Sequence, residues 1–255
     1  MFIRSFRIRA DKVGEDPVID FSLRLPAIAQ LMARGGFELN QPVTLLVGAN
    51  GVGKSTLLEA LALKAGFSDL GGPLGIDAYA SGEQSRLHER LVFRSDPGQA
   101  PPLRGYFIRA DMHHENLQAW DSSRARAARN NVHSDRILGH RSHGEAAMDI
   151  LNEHVDGAGL YFFDEPESGL SVIRQMALLT HIHDAVERGA QFIIATHSPI
   201  LLAIPNAEII QMDQDGMSRI SFEESEAVRA MREFLADPTG VVEYLTAEDV
   251  EYLGD

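Results

Sequence analysis

The run Gly48-Ala49-Asn50-Gly51-Val52-Gly53-Lys54-Ser55-Thr56 constrains this chain more than any other stretch. Before it stands Val43-Thr44-Leu45-Leu46-Val47, short, apolar and rich in β-branched residues, the composition of a buried strand. After it stands Leu57-Leu58-Glu59-Ala60-Leu61-Ala62-Leu63, built of strong helix formers. Gly48, Gly53, Lys54 and Ser55 meet the pattern G-x-x-x-x-G-K-[ST] in full, in the strand-loop-helix setting that it requires. Such a loop turns consecutive backbone N–H groups toward one anion, and the helix that follows adds its partial positive charge. Lys54 reaches the β and γ phosphates, and the Ser55 hydroxyl ligates magnesium. A nucleoside triphosphate site built from Asn50, Gly51, Val52, Gly53, Lys54, Ser55 and Thr56 is therefore expected.

The 255 residues suffice for one full α/β core, so a single domain over 1–255 is expected. No run approaches the ~18 apolar residues of a membrane span, and Met1 to Arg7 lacks the apolar block of a signal peptide. The expectation is a soluble, cytoplasmic protein with no integral membrane segment. Cysteine is absent, which excludes disulfides and thiolate metal ligands. A formal net charge of −14 argues against broad, non-specific nucleic-acid binding by the whole surface, while leaving room for a local basic path. Between Glu223 and Asp255 ten acidic residues face only Arg229 and Arg232, so the C-terminal stretch reads as an acidic tail.

Phe2 to Arg9 alternates apolar and polar residues, predicting a half-buried strand with Phe2, Phe6 and Ile8 on one side. A second strand is predicted around Val18 to Leu23, and a helix over Pro26 to Arg34, stopped by Gly35-Gly36. Together they suggest an N-terminal antiparallel β subdomain. From 66 to about 141 the glycines and prolines imply a loop-rich insertion, with strands at Arg90 to Arg94 and Gly105 to Arg109. Within Ser122 to Arg141, five arginines (Arg124, Arg126, Arg129, Arg136, Arg141) stand against Asp135 alone. A solvated segment and an anion-binding surface both fit that pattern.

Leu160-Tyr161-Phe162-Phe163-Asp164-Glu165-Pro166 predicts a central strand with two carboxylates at its C-terminal end, where open α/β sheets bind ligands. There Asp164 can hold magnesium and Glu165 can polarise an attacking water. Val172, Ile173, Met176, Leu179, Ile182 and Val186 mark an amphipathic helix ending at Gly189, and Gln191 to Thr196 a further buried strand. This strand-helix-strand alternation implies a mostly parallel sheet. Ser198 before Pro199 fits a helix start, and His197 just ahead of them can donate a hydrogen bond to the γ-phosphate. Ala207 to Met212 and Met217 to Phe222 flank Asp215-Gly216, a hairpin signal, and Glu223 to Leu235 predicts a helix.

The loop form Gly-x-Asn-Gly-x-Gly-Lys-Ser-Thr, the strand ending Asp164-Glu165-Pro166, and Thr196-His197-Ser198 resemble the ATP-binding-cassette branch of P-loop ATPases. Within it the chain looks like the small stand-alone AAA-type ATPases related to SMC-type repair proteins. The resemblance implies ATP and magnesium as cofactors, ATP hydrolysis, and an ABC-like fold in which Lys54, Glu165 and His197 are catalytic and Ser55 and Asp164 hold the metal. It also implies that Arg141-Ser142-His143-Gly144-Glu145 stands where the family has its signature, so that Ser142 and Gly144 bind the nucleotide of a second subunit. Only the serine and the second glycine match that signature. By itself Ser142-x-x-Glu145 is also a capping box. Glu167-Ser168-Gly169-Leu170 falls at the family's D-loop without its aspartate. For the family's glutamine, Gln84, Gln118 and the Arg109-Ala110-Asp111 stretch are the candidates.

The implied mechanism is an ATP-dependent homodimer working as a switch in DNA repair or defence with a protein effector, and nucleic acid as a possible further partner. Two other classes compete. One is the ATP-binding subunit of a membrane ABC transporter; the other is a P-loop kinase or GTPase, against which stand Glu165 with His197 and the absence of an Asn-Lys-x-Asp motif. No long heptad run separates the motifs, so coiled-coil arms are not expected.

Overall fold

In a computed structural model, the described residues are 1–9, 21–75, 85–109, 153–155 and 157–247. The N-terminal strand β1 (Ser5–Ile8) pairs antiparallel with β2 (Phe37–Glu38) on one side and β5 (Leu91–Arg94) on the other. Within β1, Phe6 and Ile8 are buried as expected; ahead of it Ile3, not Phe2, completes the buried set. Between β1 and β2 lies α1 (Pro26–Arg34), with Pro26 at the first helical position and Gly35 in the left-handed conformation that ends it. Of the strand expected around Val18 to Leu23, residues 18–20 lie outside the described residues and the rest falls in a 3-10 turn at Phe21–Arg24. Its Ser22 is buried and accepts a hydrogen bond from the Ser85 hydroxyl, while Phe21 is exposed.

The main sheet contains seven strands in the order β10-β9-β3-β8-β7-β6-β4. These are β3 (Val43–Val47), β4 (Gly72–Pro73), β6 (Gly105–Ile108), β7 (Leu160–Asp164), β8 (Gln191–Ala195), β9 (Ala207–Asp213) and β10 (Gly216–Ile220). The five from β9 to β6 run parallel, and β10 and β4 close the edges antiparallel. β10 follows β9 through a tight hairpin ending at Gly216, whose φ of 119° is left-handed. The stretch beyond residue 66, read as an insertion, thus gives β5 to the antiparallel sheet and β4 and β6 to the main one.

Strands β3, β7 and β8 are buried along their whole length, as parallel strands covered on both faces must be. Alternation then divides their side chains between two cores. Leu160, Phe162, Ile193 and Leu46 meet α2 (Lys54–Lys64) and the antiparallel sheet; Tyr161, Phe163, Phe192 and Leu45 meet α4 (Val172–Glu187). Tyr161 and Phe192 stack at 4.9 Å, with Phe163 edge-on to Phe192 at 5.5 Å. A short helix, α3 (Leu87–Arg90), packs on α2 and leads into β5. The two sheets are also stitched by polar contacts. The buried Gln191 amide donates to the Ile3 carbonyl (2.7 Å) and accepts from the Ile3 N–H (2.9 Å), completing a backbone pair that no strand supplies. Glu208, on β9, accepts from the Asn40 N–H, the Thr44 hydroxyl and Arg219.

The described part of the acidic tail, up to residue 247, contains two helices, α5 (Glu226–Ala236) and α6 (Pro238–Thr246); residues 248–255 lie outside the described residues. The second opens at Asp237, whose carboxylate caps the Gly240 N–H at 2.9 Å ahead of Pro238 at the first helical position. Among the described residues no helix is long and apolar enough to cross a membrane.

Candidate functional site

The glycine loop leaves β3 at Gly48, and sterics fix why glycine stands there. Its φ is 141°, and a Cβ would lie 2.1 Å from the Met212 carbonyl oxygen, so the loop presses directly on β9. At the far end Gly53 (φ 105°) backs onto Leu25, where a Cβ would sit 3.0 Å from Leu25 Cδ1. Gly53 is the N-cap of α2 and offers no capping side chain, so the first N–H groups of α2 keep their hydrogen-bonding capacity for an anion. Asn50 and Gly51 are exposed at the loop tip, and Val52 packs inward against the core.

Lys54 begins α2 and is buried. Its ammonium donates to the Gly48 carbonyl (2.8 Å) and the Ala49 carbonyl (2.9 Å), which spreads the side chain across the mouth of the loop. Burial holds its pKa below the ordinary lysine value, against the opposing pull of Glu165, Asp164 and Glu167. Next to it the Ser55 hydroxyl donates to Asp164 Oδ1 at 2.9 Å, joining positions 109 residues apart. A hydroxyl and a carboxylate are hard oxygen donors of the kind magnesium takes. Magnesium is usually held by one or two protein groups plus phosphate oxygens rather than by an all-protein cage. The pair therefore fits the metal that the sequence implies.

Glu165 follows at the C-terminal end of β7 with φ 47°, a left-handed conformation that costs a non-glycine residue free energy. Its N–H donates to the Ala195 carbonyl (2.9 Å), and its own carbonyl accepts from the Ser168 N–H (3.0 Å), so the strained residue is fixed from both sides. The carboxylate lies 3.8 Å from His197 Nε2. Lys54, Ser55, Asp164, Glu165 and His197 thus converge at the C-terminal ends of three adjacent parallel strands. The helix expected to start at Ser198 and Pro199 is only a 3-10 turn at Leu201–Ala203 with Ile200 at its cap; the Ser198 hydroxyl accepts from the Ile200 N–H (3.2 Å) in the turn ahead of it.

Glu167 is the residue that sequence reasoning undervalued. Its Oε1 accepts from the Thr196 hydroxyl (2.7 Å), the His197 N–H (2.7 Å) and the Ser198 N–H (3.1 Å). One oxygen therefore binds the turn after β7 to the turn after β8. Its Oε2 is buried without a hydrogen bond among the described residues. Gln175 of α4 extends the web, donating to the Leu170 carbonyl and accepting from the Ser198 hydroxyl. The only sequence signal for this was an acidic residue opening the stretch Glu167-Ser168-Gly169-Leu170, which falls at the resembling family's D-loop.

Arg109, at the end of β6, bonds the Asp69 carbonyl (2.7 Å) and pairs with Glu59 (3.1 Å). With Ser55, Thr56 and Ser85 it lines a cavity of about 260 Å³ on the α2 side of the site. A second cavity, about 220 Å³, lies on the other side, walled by Gly48, Ala49, His197 and the first residues of α5. Ser142, Gly144, Gln84, Gln118 and the arginine-rich Ser122 to Arg141 lie outside the described residues.

Set beside known proteins, residues 43–127 and 146–203, more than half of the chain, match the family described as "AAA domain, putative AbiEii toxin, Type IV TA system". Residues 3–75 match a second AAA-domain family. The chain is 26% identical over 178 residues to "ABC transporter G family member STR2" of Medicago truncatula; the match takes in 64% of this chain and 24% of that protein, so it spans about a quarter of its relative. A nucleotide-free ATP-binding cassette from an ABC transporter superposes with a TM-score of 0.44 at 15% identity, over 84% of this chain and 91% of the other.

Proposed function

We propose that this chain, which belongs to the AAA-domain family matched over 43–127 and 146–203 and is a small AAA/ABC-like P-loop ATPase, binds ATP with magnesium and hydrolyses it. The observation that carries the reading is the 2.9 Å contact between Ser55 and Asp164, with Lys54 beside it and Glu165 facing His197. A glycine loop alone indicates phosphate binding; the carboxylates at the end of the neighbouring strand supply the means to hydrolyse.

In this reading the loop N–H groups and the start of α2 hold the β and γ phosphates, and Lys54 places its charge where negative charge accumulates in the transition state. Magnesium, held by Ser55 and Asp164, would supply charge neutralisation on the phosphate oxygens. Glu165 orients the attacking water and accepts its proton, its backbone being locked by Ala195. His197 donates to the γ-phosphate, and Glu167 positions it by gripping its backbone N–H. Ser142 and Gly144 complete the site from a second copy, so that ATP binding assembles a homodimer and hydrolysis releases it. The setting is cytoplasmic. The family description, with its toxin and toxin–antitoxin terms, supports a role in defence with a protein effector, DNA repair being the related alternative.

The test is Glu165→Gln. Hydrolysis should fall by about 10²–10⁴ while ATP binding persists, and light scattering should find a stable dimer with ATP and a monomer without it. A Glu165→Gln chain that remains monomeric at saturating ATP would remove the dimer from the reading. Wild-type protein that releases no phosphate from ATP would remove the ATPase itself.

A further inference from the structure

We propose that the helices α5 and α6 form the docking surface for a protein partner that presents an apolar ridge within a basic surround. Along α5, Ala227, Met231, Phe234 and Leu235 follow helical spacing and share one arc with Val228. Only Val228 reaches the core; Met231, Phe234 and Leu235 are 44, 42 and 68% exposed. The arc is continuous, and its cover stops after one turn. Helix α6 buries no residue at all, with Val242, Tyr244 and Leu245 more than half exposed.

A nine-residue helix gains little from its own hydrogen bonds, since isolated helices shorter than about 12–15 residues are marginal in water and draw their stability from packing an apolar face. Summed over both helices, the six exposed side chains leave on the order of 600 Å² of apolar surface in water, comparable with one partner's share of a stable interface.

Charge selects the occupant. Around these helices Glu223, Glu224, Glu226, Glu233, Asp237 and Glu243 outnumber Arg229 and Arg232, on a chain of net charge −14. A second copy docking through the same face would bring two acidic surfaces together, and nucleic acid or an anionic membrane would be repelled. A lysine- or arginine-rimmed protein surface is the complement. Position adds a consequence that rests on the ATPase reading: Ser225, Glu226 and Ala227, where α5 begins, wall the cavity shared with Gly48 and His197, so a partner seated on α5 is one helix away from the phosphate loop.

The experiment uses the full chain and a fluorescent 18-residue amphipathic peptide of leucine and lysine, with matched peptides carrying glutamine or glutamate for every lysine. Anisotropy should show the lysine peptide binding at least tenfold tighter than the glutamine peptide. Phe234→Ser/Leu245→Ser should weaken it at least tenfold, whereas Val172→Ser/Ile173→Ser, which alters apolar residues on α4 that are 54 and 73% exposed, should leave it unchanged. Glu233→Lys/Glu243→Lys keeps the apolar groups and should weaken the lysine peptide alone. Equal binding of the three peptides, or indifference to the α5–α6 variants, would overturn the proposal. So would wild-type self-association in sedimentation that Phe234→Ser/Leu245→Ser abolishes, because the occupant would then be a second copy. Phosphate release should change at least twofold with the lysine peptide bound. An unchanged rate would overturn the link to the ATP site, and a chain that binds the peptide but never hydrolyses ATP would refute the ATPase reading while leaving the docking surface standing.

Discussion

The exits of β3, β7 and β8 and the helices α5 and α6 distribute polarity and strain in opposite ways. At the strand exits a glutamate holds a left-handed φ of 47°, a glycine loop presses on a carbonyl, and one carboxylate oxygen receives three donors. In α5 and α6 the backbone is regular, and Asp237 caps the start of α6, yet large apolar side chains are exposed. Strain persists only where surrounding contacts over-determine it, and the first region has those contacts. The second has no strain to hold and, among the described residues, lacks cover instead. On the readings proposed above, the first region acts on something small within it and the second meets something large outside it.

The comparison can be broken most sharply at Lys54. Lys54→Ala should lower the rate of phosphate release from ATP by about 10²–10³, with the far-ultraviolet circular dichroism unchanged. A variant that retains most of its activity would separate the loop from the chemistry. Next comes Glu167→Ala, which strips the acceptor from the Thr196 hydroxyl and the His197 and Ser198 N–H groups. Urea denaturation should show a loss of about 2–4 kcal/mol, with ATPase activity falling alongside, and Glu167→Gln, which keeps one acceptor oxygen, should lose less than half as much. If both variants melt like wild type, the clamp between the two turns is not energetic.

Gly48→Ala tests the strain at the loop's root. With Met212 oxygen 2.1 Å from the new methyl position, the loop or β9 must shift, costing about 1–3 kcal/mol and weakening nucleotide binding measured by calorimetry. The smallest effect is expected in the uncovered region. Phe234→Ser and Leu235→Ser should each change stability by no more than about 0.5 kcal/mol. A loss of several kcal/mol from either would mean that these side chains are already packed within the chain and would erase the contrast.

The parts of this architecture legible from the residues alone were those set by local chemistry. The loop and its flanking strand and helix, α1 between Pro26 and Gly35, and the hairpin at Gly216 each carry their signal within a few positions. The carboxylate pair Asp164-Glu165 was legible because a run of aromatics announces a buried strand and a polar pair marks its end. Glu167 was not, because its partners lie 29 to 31 positions away and nothing nearby hints at them. Pairing of β5 with β1 was hidden for the same reason: no local pattern says which sheet a short strand will join. In the C-terminal stretch the count of acids obscured Asp237-Pro238, a cap and first helical residue that open α6.

Gln191 gives β8 a property that its C-terminal end alone would not suggest. The strand is gripped at its start by the paired bonds to Ile3 and just past its finish by Glu167 on the His197 N–H. A rod fixed at both ends can carry a displacement along its length without absorbing it. Removing the amide with Gln191→Leu would leave β8 paired to β3 and β7 but cut its link to Ile3, so the histidine some six residues away would lose its side-chain tie to the N-terminal segment.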